Sequence, residues 1–277
     1  MTDINQVVLS YSCPVCSGKL YLEGDAFICS SKHVFFVKEG IADFTSPDIF
    51  SPPIYDDPEH QKWVKVSTEL LLNSYKSGSL FERIQDYGHS FLESIADGNN
   101  NWKLDLGCGF GRHFDFLKDK KSVVGLDLNL KSLKVASTNN PGSVFIKGHM
   151  EKLPFSEGFF SIIYAIYSLE HVYNLEAVTR EIKRILTKDG QLLVGLPAEG
   201  GLLYNGIRKI TIIPYLSKKY NITYEKVVKI EHCNTAKKVM MTLKSEFKKE
   251  RIKYYPFGIR SLDTNLIVLA SFRNEYK

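Results

Sequence analysis

Several absences narrow this sequence before any motif is read. No stretch of about 18 consecutive uncharged apolar residues occurs, so an ordinary membrane-crossing helix, and with it membrane insertion, is excluded. The opening residues, MTDINQVVLSYSCPVC, have neither the basic start nor the apolar middle of a secretory leader. Cysteine is scarce and odd in number, five in 277 residues; this does not make a disulfide-stapled secreted scaffold and points to a reducing cytoplasm. The net charge of +5 is too small to argue for nucleic acid unaided. Disorder is excluded by the opposite kind of count, since 44% hydrophobic and 12% aromatic residues can bury a real core. The length suits one large α/β domain with an appendage. Charge is unevenly spread: residues 204–260 hold fourteen Lys/Arg against four acids, whereas residues 1–50 hold three Lys against six acids.

The few cysteines are placed tellingly. Cys13-Pro-Val-Cys16 is followed, after twelve intervening residues, by Cys29-Ser-Ser-Lys-His33. Two close pairs at this spacing let four ligands converge tetrahedrally on Zn²⁺. The filler GKLYLEGDAFIC reads as two short strands, 19–22 and 26–29, around a Glu-Gly-Asp turn, and the run 34–37 closes a ribbon against them. A redox dithiol would open a helix after a buried strand, which this segment does not do, and plain core cysteines are the other competing reading. With Cys13, Cys16, Cys29 and His33 all supplied by protein, the zinc would be structural. About 45 residues build little core unaided, so the ion would hold residues 1–45 together. Carried by Cys-x-x-Cys…Cys-x₃-His and the following VFFVKEGIADF, this segment resembles the ribbon of the 23S rRNA guanine-N1 methyltransferase family. It is more loosely similar to small zinc-ribbon activators of RNA and protein methyltransferases.

Residues 46–98 read as a linker and entry helices. SPDIFSPPIYDDP, over 46–58, is too rich in proline and turn formers for a regular element and reads as a tether. Apolar residues then recur at helical intervals over 60–73 (Trp63, Val66, Leu70) and 80–96 (Phe81, Ile84, Tyr87, Phe91, Ile95). These are helices that cap a sheet, or that fold over a cofactor pocket as lids do. Asp97-Gly-Asn-Asn-Asn101 closes the second as a loop.

From Trp102, residues 99–277 become α/β in pattern. Lys103–Leu106 is a short apolar strand running straight into Asp105-Leu-Gly107-Cys-Gly109-Phe-Gly111. Such glycines turn the chain tightly and bring backbone N–H groups against a ligand. A dinucleotide fingerprint would space them Gly-x-Gly-x-x-Gly. Here the spacing is Gly-x-Gly-x-Gly, with an acid two residues before the first glycine, which suits a cationic ligand group and would repel a pyrophosphate. A second strand, VVGLD, ends in Asp127, 22 residues after Asp105, where an acid gripping ribose hydroxyls is expected. Strands over 144–147, 159–167 and 191–196, a helix over 175–186 and a turn at Lys188-Asp-Gly190 follow. This alternation calls for a parallel sheet covered on both faces.

LDLGCGFGRH, GLDLN, EKLPF, SLEHV and ILTKDGQLLVGLP, in that order, resemble the class I S-adenosylmethionine-dependent methyltransferases of the ubiquinone-biosynthesis-like superfamily, over residues 100–197. The resemblance implies a Rossmann-like, seven-stranded, mostly parallel sheet with an antiparallel last strand, and S-adenosyl-L-methionine as cofactor. It implies Asp105 near the cofactor's amino group, Gly107, Gly109 and Gly111 under its methionyl and ribose portions, and Asp127 on the ribose hydroxyls. His149 and Met150 would recognise adenine, Met150 through its backbone N–H. His149 stands where that family usually has Asp; a neutral imidazole accepts the adenine bond less strongly and in a pH-dependent way. Ser161 likewise replaces a common Asp.

Methyl transfer needs alignment of the two substrates and, for some acceptors, removal of a proton. Glu170 and His171, just after the fourth strand, are best placed, and a histidine titrates in the useful range as a general base. A packing role for His171 is the plain alternative. Tyr167 replaces the first acid of the Glu-x-x-Glu-His set with which some relatives hold a metal, so a catalytic metal is not expected, and Cys108 reads as filler. Residues 198–231 read as an insertion over the pocket, irregular over 207–223, followed by a helix over 235–247 and strands over 253–255 and 265–272. The basic excess here is a solvated face or a draw for an anionic acceptor, with Arg208, Lys209, Lys218 and Lys219 as its leading residues. Three functions fit: methylation of a small-molecule or glycan-like acceptor, methylation of rRNA, and a non-catalytic zinc module that senses the cofactor. The acidic ribbon and the Gly-Arg-His continuation of the loop favour the first.

Overall fold

The computed structural model describes residues 4–46, 58, 61–67, 80–97, 101–220 and 231–275. Most of the tether, residues 68–73 of the first entry helix, the loop glycine and asparagines at 98–100, and residues 221–230 of the insertion lie outside these. Among the described residues are eleven strands: β1 Leu20–Glu23, β2 Ala26–Cys29, β3 Val34–Lys38, β4 Ile41–Asp43, β5 Lys103–Leu106, β6 Val123–Asp127, β7 Val144–Lys147, β8 Phe160–Ile166, β9 Leu186–Pro197, β10 Lys248–Tyr255 and β11 Ile267–Arg273. The helices are α1 Ile4–Leu9, α2 over 61–67, α3 Leu80–Ser94, α4 Leu130–Asn139, α5 Leu175–Ile185, α6 Leu202–Ile210, α7 Ile212–Tyr220 and α8 Ala236–Glu246.

The strands join in one sheet, β1-β2-β3-β4-β7-β6-β5-β8-β9-β11-β10. From β7 to β10 this contains the seven strands read from the sequence, with β11 antiparallel to β9. The expected count of seven is corrected to eleven because the N-terminal strands extend the same sheet. The short strand β4 lies parallel to β7, pairing Ala42 with Ile146 and Asp43 with Lys147, and so supplies partners for an edge that would otherwise be open. Lys147 Nζ donates to Asp43 Oδ2 at 2.9 Å across this junction. Tyr11, Phe27, Phe35 and Phe44 gather behind it with ring centroids 4.9–5.6 Å apart, and Tyr11 reaches Phe155 of the main sheet at 5.8 Å.

Strand alternation sends side chains to two cores. Leu104, Leu106, Val124, Leu126, Ile163 and Ala165 join the face covered by α5 and α8. Ile162, Tyr164, Ile166, Val123 and Phe145 join the face covered by α3 and α4. The turn at Lys188-Asp-Gly190 survives inside β9: Asp189 has φ +59°, and the pairing with β8 jumps from Leu186 to Gln191. The segment expected to be irregular over 207–223 instead forms α6 and α7 up to Tyr220. The break between them falls at Thr211, whose hydroxyl donates back to the Ile207 carbonyl at 2.7 Å. Its Ile, Thr and Tyr content is poor in helix formers, so propensity alone concealed both helices.

Candidate active site

The glycine loop is pinned to the end of the neighbouring strand. Gly107 N–H and Cys108 N–H both donate to the Leu126 carbonyl, at 2.8 and 3.0 Å. Gly107, Gly109 and Gly111 all lie in the left-handed region, with φ +81°, +51° and +77°. They serve different ends. A Cβ on Gly107 would fall 2.5 Å from Ser168 Cβ and 2.7 Å from Met150 Cε, so that glycine permits close packing beneath the loop. A Cβ on Gly109 would meet nothing within 4 Å, so above it the backbone faces open space. Arg112, following the loop, pairs with Asp86 of α3 at 2.7 Å and with Glu82 at 3.5 Å, which fastens that entry helix beside the cradle.

Two carboxylates flank the loop in different states. Asp127 is held by backbone donors, Gly109 N–H to Oδ2 at 2.9 Å and Asn129 N–H to Oδ1 at 2.8 Å. Burial still raises its pKa, partly offset by those N–H groups. Asp105 is more extreme: it is 3% exposed and its Oδ2 has no hydrogen-bond partner. Burial, with the nearby Asp127 charge adding, pushes Asp105 up to about 8. A buried carboxyl with an unmet oxygen, beside an open glycine cradle, is a site suited to a cationic group.

At the far end of the cradle, His149 and Met150 follow β7 and are half-buried. Burial, then Lys147, lowers the His149 pKa, so its ring is neutral near pH 7 and able to accept a hydrogen bond. Asp43 of the ribbon acts on His149 in the opposite sense, so the junction between β4 and β7 adjoins this corner.

Beyond β8 lies the second group. Glu170 is buried, with Oε2 unpartnered and its pKa raised by burial. His171 is exposed; its Nδ1 lies 2.9 Å from the Glu231 carbonyl and its Nε2 is 3.9 Å from Glu170 Oε1. In the neutral ring, Nδ1 therefore carries the proton and Nε2 keeps its lone pair. The structure adds residues that the sequence reading missed. His232 packs its ring edge-on to His171, centroids 4.6 Å apart, and its Nδ1 bonds Glu199, which also pairs with Arg208. Burial would pull His232 down, but Glu199 prevails and raises it; His232 and Arg208 in turn lower Glu199 against its own burial. Asn234 ties this strip to the loop after β8, donating to the Leu169 and Val172 carbonyls at 3.2 and 2.6 Å. Trp63 of α2 donates to Glu231, bringing an entry helix to the same strip. The one signal in the sequence was that Glu231-His232 repeats the Glu170-His171 pair.

The N-terminal cluster forms elsewhere, under the ribbon. One ligand atom from each of Cys13, Cys16, Cys29 and His33 lies within 4.8 Å of the others. The Cys16–Cys29 sulfurs are 3.7 Å apart, and His33 Nδ1 is 3.5 and 3.3 Å from the sulfurs of Cys13 and Cys29. These are about the edge lengths of a tetrahedron around an ion with bonds of about 2.0–2.3 Å. The Gly18 N–H, then the Ser31 hydroxyl, lower the Cys16 thiol to about 6, toward the thiolate that a metal requires.

Residues 104–194 match a family described as a methyltransferase domain. The chain is 24% identical over 149 residues to a malonyl-acyl-carrier-protein O-methyltransferase of Hamiltonella defensa, covering 53% of this chain and 57% of that protein. It is 30% identical over 161 residues to an uncharacterized protein of Methanocaldococcus jannaschii, covering 57% of this chain and 68% of the other. Among solved structures, a SAM-dependent methyltransferase of Thermotoga maritima shares the fold with a TM-score of 0.53 and 18% identity, over 75% of this chain and 97% of that one. The matched stretches span 33% to 68% of the lengths of the curated relatives.

Proposed function

We propose that this chain is a class I S-adenosylmethionine-dependent methyltransferase that transfers a methyl group from S-adenosyl-L-methionine to a small-molecule or glycan-like acceptor, with a structural Zn²⁺ in its N-terminal ribbon. The observation that carries this reading is the unpartnered, buried Asp105 oxygen beside a cradle that opens above Gly109. When bound, the cofactor supplies a methyl group on a positively charged sulfur, open to in-line displacement.

The chain's own residues divide the remaining work. Asp105 holds the cofactor's ammonium, and the contact draws this carboxyl into its ionised form. Asp127, already oriented by two backbone N–H groups, accepts from the ribose hydroxyls. Gly107, Gly109 and Gly111 let the backbone approach; His149 accepts from the adenine amino group and the Met150 N–H donates to the ring. His171 takes the acceptor's proton on Nε2, its ring held by the Glu231 carbonyl and flanked by the Glu170 carboxyl. Cys13, Cys16, Cys29 and His33 hold the zinc, and their ribbon supports the β4 edge beside the adenine corner.

The test supplies methyl-tritiated cofactor together with a fractionated cell extract. Label is expected in the small-molecule or glycan fraction, and His171→Gln should reduce its transfer by about 10²–10⁴-fold with cofactor affinity unchanged. Label that nuclease releases as nucleotides would replace this acceptor class with RNA.

A further inference from the structure

A shallow hollow of about 470 Å³ opens where the start of α6 meets the turn between β10 and β11, lined by Leu202, Leu203, Phe257, Ile259, Asp263 and Thr264. The two segments are fastened together: Leu203 N–H donates to the Asp263 carbonyl at 2.9 Å and Leu202 N–H to its carboxylate at 3.2 Å. Around this hollow, large apolar side chains face water, Leu202 at 76% exposure, Phe257 at 64% and Ile259 at 55%. Further along, α6 buries none of its residues, and Ile210 is 78% exposed.

Apart from the exposed Asp263, the charges beside these side chains are cationic. Lys209 and Arg260 adjoin Ile210 and Ile259 in the chain and are exposed, and α7, which packs on α6, ends in Lys218 and Lys219. Residues 201–220 contain no acid, and the carboxylate of Asp263 is engaged by Leu202 N–H. Exposed apolar anchors amid cations that outnumber the single carboxylate of Asp263 have the chemistry of a surface that rests in a membrane interface. A second copy across a two-fold axis would set the same cations against each other. No helix among the described residues is long and apolar enough to cross a membrane.

We propose that α6, with the turn between β10 and β11, docks on the surface of an anionic phospholipid bilayer, seating Leu202, Phe257 and Ile259 among the headgroups and Lys209 and Arg260 against the phosphates. This surface is independent of the methyl-transfer reading. It begins just past Glu199, so a docked chain would bring the bonded Glu199–His232 pair toward the bilayer.

The experiment is co-sedimentation of the full chain with vesicles of phosphatidylcholine alone and of phosphatidylcholine mixed with phosphatidylglycerol, at low and high salt. The wild type should pellet with the mixed vesicles, and added salt should weaken this. Neutralising two cations (Lys209→Gln with Arg260→Gln) should lower partitioning about 25-fold, at about fivefold for each charge. Leu202→Ser with Phe257→Ser should also release the chain, whereas Lys237→Gln with Lys244→Gln on α8 should cost little. Circular dichroism melting checks that each variant is folded. No preference for anionic vesicles would overturn the proposal, as would equal losses from the α8 pair. A dimer seen by light scattering that disappears with the Leu202 and Phe257 changes would assign the face to self-association instead.

Discussion

Replacing Asp105 with asparagine keeps the shape of the side chain and removes its charge. In the wild type this carboxyl is pushed up to about 8, so at pH 6 only about one molecule in a hundred carries it ionised. A bound ammonium demands the ionised form. Binding of S-adenosylhomocysteine, which retains the ammonium, should therefore release about one proton per site near pH 6.5. Its affinity should rise roughly tenfold per pH unit until the carboxyl is ionised. In Asp105→Asn the released proton should vanish and the pH dependence flatten. At pH 8 the variant should bind roughly ten- to a hundredfold more weakly, the worth of about 1.5–3 kcal/mol for a hydrogen bond to a charged group. Calorimetric titration in two buffers of different ionisation heat measures both quantities. Melting of the ligand-free protein reports on the same carboxyl. A carboxyl whose folded pKa lies above its unfolded value loses stability as pH rises from about 4 to 8, so melting of the wild type should fall over that range more than that of the variant. Equal affinities for the two proteins, or no proton released by the wild type, would refute the assignment of Asp105 to the cofactor's cation.

Other perturbations separate packing from ligand effects. Gly107→Ala places a methyl group 2.5 Å from Ser168 Cβ at φ +81°, and should cost about 1–3 kcal/mol in thermal unfolding. Gly109→Ala, with open space above it, should cost about 1–2 kcal/mol for its left-handed backbone yet lose cofactor binding more severely than its melting point suggests. Cys16→Ser should remove about one zinc per chain by elemental analysis and lower the melting temperature; because the ribbon supports β4, cofactor affinity should fall with it. Thr45 and Lys147 hold the Asp43 carboxyl below its usual range against its own burial. Asp43→Asn should thus destabilise by about 1 kcal/mol at pH 7, a difference that disappears as pH falls through the wild-type carboxyl's lowered pKa.

Much of the central sheet was legible because chemistry restricts its sequence. Buried parallel strands read as short apolar runs such as Val123-Val-Gly-Leu, and a loop with left-handed backbone at 107, 109 and 111 needs glycines there. The spacing of Cys13, Cys16, Cys29 and His33 likewise made visible a cluster whose ligand atoms come close in space. The attachment of the ribbon was not legible: β4 has three residues, and its pairing of Ala42 with Ile146 joins segments about a hundred positions apart. The same holds for Glu199 and His232, whose bond exists only because α6 and α7 leave the sheet and the chain returns to it. Local periodicity carries no trace of such a contact. For α6 the misleading signal was composition, since Leu202, Ile207 and Ile210 face water and none of its residues is fully buried.

Equilibrium dialysis of the full chain against tritiated S-adenosylmethionine asks whether the acid-flanked glycine cradle binds that compound. Saturable uptake of one molecule per chain is expected, abolished in a folded Asp127→Ala variant. Uptake that never saturates, or that the variant retains undiminished, would contradict such binding.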